Sequence, residues 1–240
     1  MKRILIVLAA FFVLTFSVKA EDVFMTGRTD RLMIDLFTDF WSNVPSSMDV
    51  YTINRGVNIS MMQDFRLWRS SFSVATGLGI ASHNLYSDHF YKFTPIHESS
   101  TWPQPGQFDF NPIYDTYGEL KKNKLNLNYL NLPFEFRYRN NNLSHTLRVY
   151  AGLRLGFLIN AHTKTHLKNA NGVFGAGTQT EWKYKEHKLG NLEKFQFGVT
   201  GRIGYGRLNL FAYMPLTNVF EGNNSTEMKP FSIGLTFIVY

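Results

Sequence analysis

Two groups of residues have types and spacings that could carry chemistry. The first is charged. Asp35, Glu135, Arg137, Arg148, Arg154 and Arg202 each fall among small polar residues that alternate with bulky apolar ones. An unpaired charge removed from water costs several kcal/mol, so mixed charges placed this way point to an interior ion-pair network. The second group is histidine: His83, His89, His97, His162, His166 and His187 lie in or beside the two longest connecting stretches. His162 and His166 are four residues apart and could join His187 around a metal if their segment were helical. "AHTKTHLKN" (161–169) carries no helix signal, and no acid or cysteine completes a ligand set. Ser144 precedes His145, but geometry and not adjacency makes a catalytic pair, and both read as turn residues. "NGVFGAGTQ" (171–179) does not join a strand to a helix, so it is no phosphate cradle. No catalytic residue, metal ligand or cofactor site is expected.

The elements that must hold the charges follow from their spacing. In "YLNLPFEFRYR" (129–139), Leu130, Leu132, Phe134, Phe136 and Tyr138 alternate with Asn131, Pro133, Glu135, Arg137 and Arg139. A period of two is that of a strand, whose successive side chains point to opposite faces. Eight segments share it: 31–40, 51–61, 72–81, 129–139, 145–160, 195–203, 208–216 and 231–239. The seventh is the least regular, because Phe211 and Tyr213 fall on the minority row. Pro133 lies on the polar row and lacks a ladder donor, which predicts a bulge or a missing bond there.

Connections after the second, fourth and sixth segments are short (62–70, 140–144, 204–207), whereas those at 82–124 and 161–191 are very long. Strict alternation of short and long turns fits an up-and-down antiparallel sheet, trimmed at one end and looped at the other. That is the layout of outer-membrane barrels.

Composition and compartment agree with it. Aromatic residues make up 16% of the chain, which favours strands and membrane interfaces. The absence of cysteine removes disulfides, a thiol nucleophile and a lipoprotein anchor. Lys2 and Arg3, the apolar run 4–16 and Val18-Lys19-Ala20 read as a signal peptide cleaved after Ala20, leaving 21–240 as the barrel domain. Cleavage lowers the net charge from +7 to +4, and no block of like charges suggests nucleic acid. No later segment reaches 18 apolar residues, so no transmembrane helix is expected.

A soluble lipocalin-type cup shares the strand count. It would show its polar row to bulk water, where lysine and glutamate are expected. Here that row is glycine, serine, asparagine and threonine punctuated by the charges above, which suits the cramped lumen of an eight-stranded barrel. The expected fold is therefore all-β: an eight-stranded up-and-down antiparallel transmembrane β-barrel of a Gram-negative outer membrane, with long extracellular loops. Phe40, Trp41 and Tyr51 at one end, and Phe65, Trp68, Tyr138, Tyr205 and Tyr240 at the other, are expected in interfacial girdles.

"YLNLPFEFRYR" resembles the Tyr-Leu-x-Ile/Leu-Pro strand of the PorT-like outer-membrane β-barrel proteins of the Bacteroidota. "RVYAGLRLGFLI" (148–159) and the closing "FSIGLTFIVY" (231–240) resemble theirs as well. The resemblance implies an eight-stranded outer-membrane barrel, with one branch of the family serving type IX protein secretion. Such barrels usually end on an aromatic in phase with the lipid-facing row; here Val239 holds that phase and Tyr240 lies one residue out of it.

Function is expected in the loops, because loops on a rigid scaffold carry binding. Tyr91, Phe93, Trp102, Phe108, Phe110 and Tyr114 crowd one of them and suggest a partner surface or a packed cap. Lys164, Lys168, Lys183, Lys185 and Lys188 in the other could meet lipopolysaccharide phosphates, diluted by Glu181 and Glu186. The expected role is a non-enzymatic structural or interaction barrel, a subunit of an export or envelope-assembly complex. It would contact outer-membrane lipids and a protein partner through 82–124 and 161–191. The rival roles are a small channel and a lipid-modifying enzyme.

Overall fold

The computed structural model describes residues 31–46, 48–67, 70–92, 109–112, 119–140, 146–168, 181–187, 189, 192–221 and 227–239. The expected signal segment lies outside them, as do Trp68 and Tyr240 of the expected girdles. Eight strands close a ring: β1 (Leu32–Ser42), β2 (Asn54–Arg66), β3 (Phe72–Tyr86), β6 (Glu119–Arg139), β7 (Leu147–Lys168), β9 (Phe195–Tyr205), β10 (Leu208–Pro215) and β11 (Lys229–Val239). Every neighbouring pair is antiparallel, and β1 against β11 shuts the ring from Leu32↔Val239 to Ser42↔Lys229. Closure leaves no ring strand with an unpaired edge, the condition for a sheet to sit in hydrocarbon. Outside the ring, β4 (His89–Lys92) and β5 (Asp109–Pro112) form a hairpin, and β8 (Glu181–His187) pairs with the far half of β7.

Burial is inverted relative to a soluble protein. Leu36, Ile80 and Leu210 are 51%, 56% and 60% exposed on the outside, whereas Asp35, Asn58 and Arg137 are 0% exposed within. The outward row is a continuous apolar belt, far larger than a soluble monomer tolerates. The trimmed end holds the short turns, including one between β9 and β10 where Gly206 takes φ 63°, the left-handed region glycine enters at no steric cost.

At the looped end three strands run well past their expected ends. β3 continues to Tyr86, β6 begins at Glu119 and β7 reaches Lys168, so 82–124 and 161–191 are in good part sheet rather than loop. The alternation that marks a strand fades there because the outward row stops being apolar, while Leu85, Leu125, Leu127 and Leu167 continue the inner row. A bulge helps to hide it. Tyr129 pairs with Leu158 but Asn128 with Asn160, so Ile159 is an extra residue, and beyond it the odd positions of β7 turn inward. At Pro133 the outcome is a missing stretch of ladder, not a bulge. Pairing with β3 lapses between Thr76↔Phe134 and Gly79↔Asn131 at constant register, and Pro133 still pairs with Arg154 on β7.

Inside the ring, bulky aromatics are accommodated by glycine on adjacent strands. Phe37 lies opposite Gly56 on β2 and Gly234 on β11, and Gly234 lies opposite Phe211 on β10. A Cβ built on Gly56 would land on the Phe37 ring. We expect Gly56→Val to destabilise the barrel by about 1–3 kcal/mol through overpacking, and Phe37→Ala in the same chain to recover much of that loss. Urea unfolding in lipid vesicles, followed by the folded fraction on unheated gels, measures both; strictly additive losses would contradict the packing.

Candidate functional site

The lumen is stratified, and each stratum follows from which strand residues point inward. Nearest the trimmed end, Arg139 Nη1 donates to Asp64 Oδ2 at 3.0 Å, and Arg137 Nη1 donates to Asp64 Oδ1 at 2.9 Å. Arg148 turns toward the same end and donates to the carbonyls of Thr146 and Gly206. One level up, Arg137 binds Glu135 Oε2 through Nε (2.9 Å) and Nη2 (2.8 Å). The other Glu135 oxygen accepts from Arg202 Nη1. Arg202 Nη2 then donates to Asp35 Oδ2 at 2.8 Å, which also accepts from Asn58 Nδ2 at 2.7 Å. Thr236 Oγ1 donates to Asp35 Oδ1 at 2.6 Å and accepts from Arg202 Nε at 3.0 Å.

Arg154 sits beside this chain, with Nη2 3.8 Å from Asp35 Oδ2 and its guanidinium 4.3 Å from the Tyr213 ring centroid. Arg202 lies 4.8 Å from the Phe211 centroid and Arg137 4.8 Å from that of Tyr150. The two residues that broke the pattern of the seventh segment are thus lumen residues: Phe211 and Tyr213 carry the arginine faces. Asp64 and Arg139 are network members that the residue pattern did not single out. Asp64 sits where a short turn was expected, yet Met62 and Asp64 continue the inward row of β2, which was the available signal.

Above the arginines, Asp39 accepts from Ser232 Oγ at 2.6 Å and lies 3.0 Å from His83 Nδ1. The trio holds the residues of a hydrolase triad in the wrong order. The acid stands between serine and histidine, and Ser232 gives its hydrogen to Asp39 rather than to the His83 ring.

The top stratum is apolar. Met48, Leu192, Val219, Phe220 and Met228, from the connections after β1, β8 and β10, pack against Leu85, Leu125, Leu127, Tyr129 and Ala161 on the inner wall. The bridge Leu192↔Phe220 and the bond from Val219 N to Met228 O tie these connections together. Trp41, expected in a lipid-facing girdle, packs against this plug, because odd positions of β1 face inward.

The aromatic loop is only partly placed. Tyr91 and Phe110 lie opposite each other in the β4–β5 ladder, while Phe93, Trp102, Phe108 and Tyr114 lie outside the described residues, as do Ser144 and His145. His162 and His187 face each other across β7 and β8 with rings 5.6 Å apart, and His166 lies 3.2 Å from Glu181. Among the described residues no three histidine, cysteine or acidic side chains are placed to hold a metal ion.

Comparison with known proteins adds one match. The model of a family described as outer membrane protein beta-barrel domain covers residues 36–221, which takes in every ring strand except β11 and the first residues of β1. No curated protein and no solved structure matches the chain.

Arg202 bridges two buried carboxylates, so its removal should be costly. Arg202→Met leaves Asp35 and Glu135 without that counter-charge and is expected to lower stability by about 3–5 kcal/mol. The triple variant Asp35→Asn/Glu135→Gln/Arg202→Met should recover part of the loss. Urea midpoints in vesicles decide it, and a wild-type midpoint for Arg202→Met would contradict the bridging role.

Proposed function

We propose a role from one premise: the chain belongs to the outer membrane protein beta-barrel domain family, and so its place is the outer membrane. The reading that fits best is a non-enzymatic, non-conducting barrel that acts as a membrane-anchored interaction subunit. The observation that carries it is the double obstruction of the lumen, by a charge network at mid-barrel and by an apolar plug above it. Fully burying a Leu, Met or Phe contributes about 1.5–3 kcal/mol, so withdrawing the plug would cost several such increments. Narrow eight-stranded barrels are filled by side chains in any case.

A filled barrel offers partners only its ends and outer wall. The extended sheet of β3, β6, β7 and β8, with the β4–β5 hairpin, supplies a hydrogen-bonded surface at the looped end. The resemblance to PorT-like barrels gives that surface a direction: an export or envelope-assembly complex, of the type IX secretion kind. The order of Ser232, Asp39 and His83 favours this over a lipid-modifying enzyme.

The folded, detergent-purified protein in planar bilayers should give no resolved conductance steps. Gentle extraction from native outer membranes should bring the barrel out in a complex of defined stoichiometry with another envelope protein. Ohmic single-channel steps, or a barrel that is always solitary after cross-linking, would overturn the reading.

A further inference from the structure

The outer wall changes character at one level. Ile80, Leu130 and Ile159 end the apolar belt on β3, β6 and β7, and the next outward positions are Ser82, Asn84, Asn126, Asn128, Asn160 and His162. Asn126 Nδ2 donates to Ser82 Oγ (2.8 Å) and Asn84 Oδ1 (3.0 Å), and Asn128 Nδ2 donates to Asn126 Oδ1 (2.8 Å). Amides are not placed against hydrocarbon, so this collar marks the upper edge of the acyl region.

Above the collar stands a row of lysines. Lys124 on β6 pairs with Lys164 on β7, and Lys164 pairs with Lys185 on β8, so all three share the outer face. Lys122, His166 and Lys183 form the next row in the same register. Directly opposed residues lie about 4.5–5.5 Å apart at Cβ, and like charges so placed repel. Among the described residues, neutralising acid lies at the far edge, where Glu181 meets His166 (3.2 Å), Lys183 (3.5 Å) and Lys121 (3.7 Å). Among the described residues no carboxylate pairs with Lys124, Lys164 or Lys185. Lys124 Nζ donates instead to the neutral Asn84 Oδ1 at 2.9 Å and lies 5.9 Å from the Tyr86 ring centroid. Burial, helped by Lys122, Lys164 and Lys185, holds the Lys124 ammonium below its ordinary pKa. The row of Lys124, Lys164 and Lys185 is thus a site of positive potential with no carboxylate of its own among the described residues.

Its height identifies the anion. Lys124 is four residues beyond Asn128, roughly 10 Å along the membrane normal for a strand tilted 35–45°. The headgroup layer is about 5–8 Å thick on each side of the hydrocarbon, and a lysine stem reaches down across the difference. We propose that Lys124, Lys164 and Lys185 bind a phosphate of an outer-leaflet glycolipid headgroup, with Lys122 and Lys183 as the second row. This goes beyond the interaction role proposed above and rests on the same outer-membrane premise.

The test uses the whole folded barrel in nanodiscs of neutral lipid doped with phosphorylated or dephosphorylated lipid A, reading bound glycolipid per barrel by native mass spectrometry. Phosphorylated lipid A should be retained, and Lys124→Gln/Lys164→Gln/Lys185→Gln should weaken retention roughly a hundredfold. The matching Lys→Arg triple and Lys194→Gln/Lys229→Gln should both retain it. Equal retention of the dephosphorylated lipid, equal retention by the Gln triple, or equal loss in Lys194→Gln/Lys229→Gln would overturn the assignment. Because bilayer conductance is read separately, failure here leaves the closed-barrel reading standing.

Discussion

The structure depends on Arg202, whose guanidinium joins Asp35 on β1 to Glu135 on β6, on well-separated parts of the ring. A barrel in lipid cannot put its charges outside, where hydrocarbon would leave them unsolvated, nor leave them unpaired inside. Carboxylates carried by β1, β2 and β6 therefore meet arginines from β6, β7 and β9 across the lumen, and the connection is made through side chains as well as through the ladder. Breaking a buried pair leaves an uncompensated charge, so these contacts specify one arrangement of the ring more strongly than they add net stability.

The rest of the architecture divides by height. At mid-barrel the lumen is filled by guanidinium–carboxylate pairs and by arginine faces lying on Tyr150, Phe211 and Tyr213. Above that, connections from three places in the chain fold inward and bury apolar side chains as a soluble core would. Among the described residues β3, β6, β7 and β8 continue past the plug, so part of the surface available to partners is a sheet. Obstruction below and extension above both favour the proposed reading, in which partners are met outside the lumen.

Much of the ring was legible in the sequence because lipid forces one face of every crossing strand to be apolar. The period of two survived even in 208–216, where Phe211 and Tyr213 merely filled the inner row. What was not legible lay where lipid no longer imposes the pattern. The upper halves of β6 and β7 read as loops because Lys122, Lys124, Asn126, Lys164 and His166 replace the apolar row while Leu125, Leu127 and Leu167 continue the inner one. The bulge at Ile159 then reversed the phase. Trp41 read as an interfacial aromatic from its place at the strand end, although its odd position already set it on the inner row. Asp64 was missed for a simpler reason, since β2 runs five residues past the point where its apolar alternation was last recognised.

The closed barrel requires one orientation of β6: Leu130, Leu132, Phe134 and Phe136 toward lipid, Tyr129 and Asn131 toward a packed interior. The chain has no cysteine, so single cysteines introduced at these positions give unique sites for spin labels. In reconstituted bilayers, oxygen accessibility measured by electron paramagnetic resonance should oscillate with a period of two, high at 130, 132, 134 and 136 and low at 129 and 131. The opposite phase, or uniform accessibility along the strand, would contradict the account.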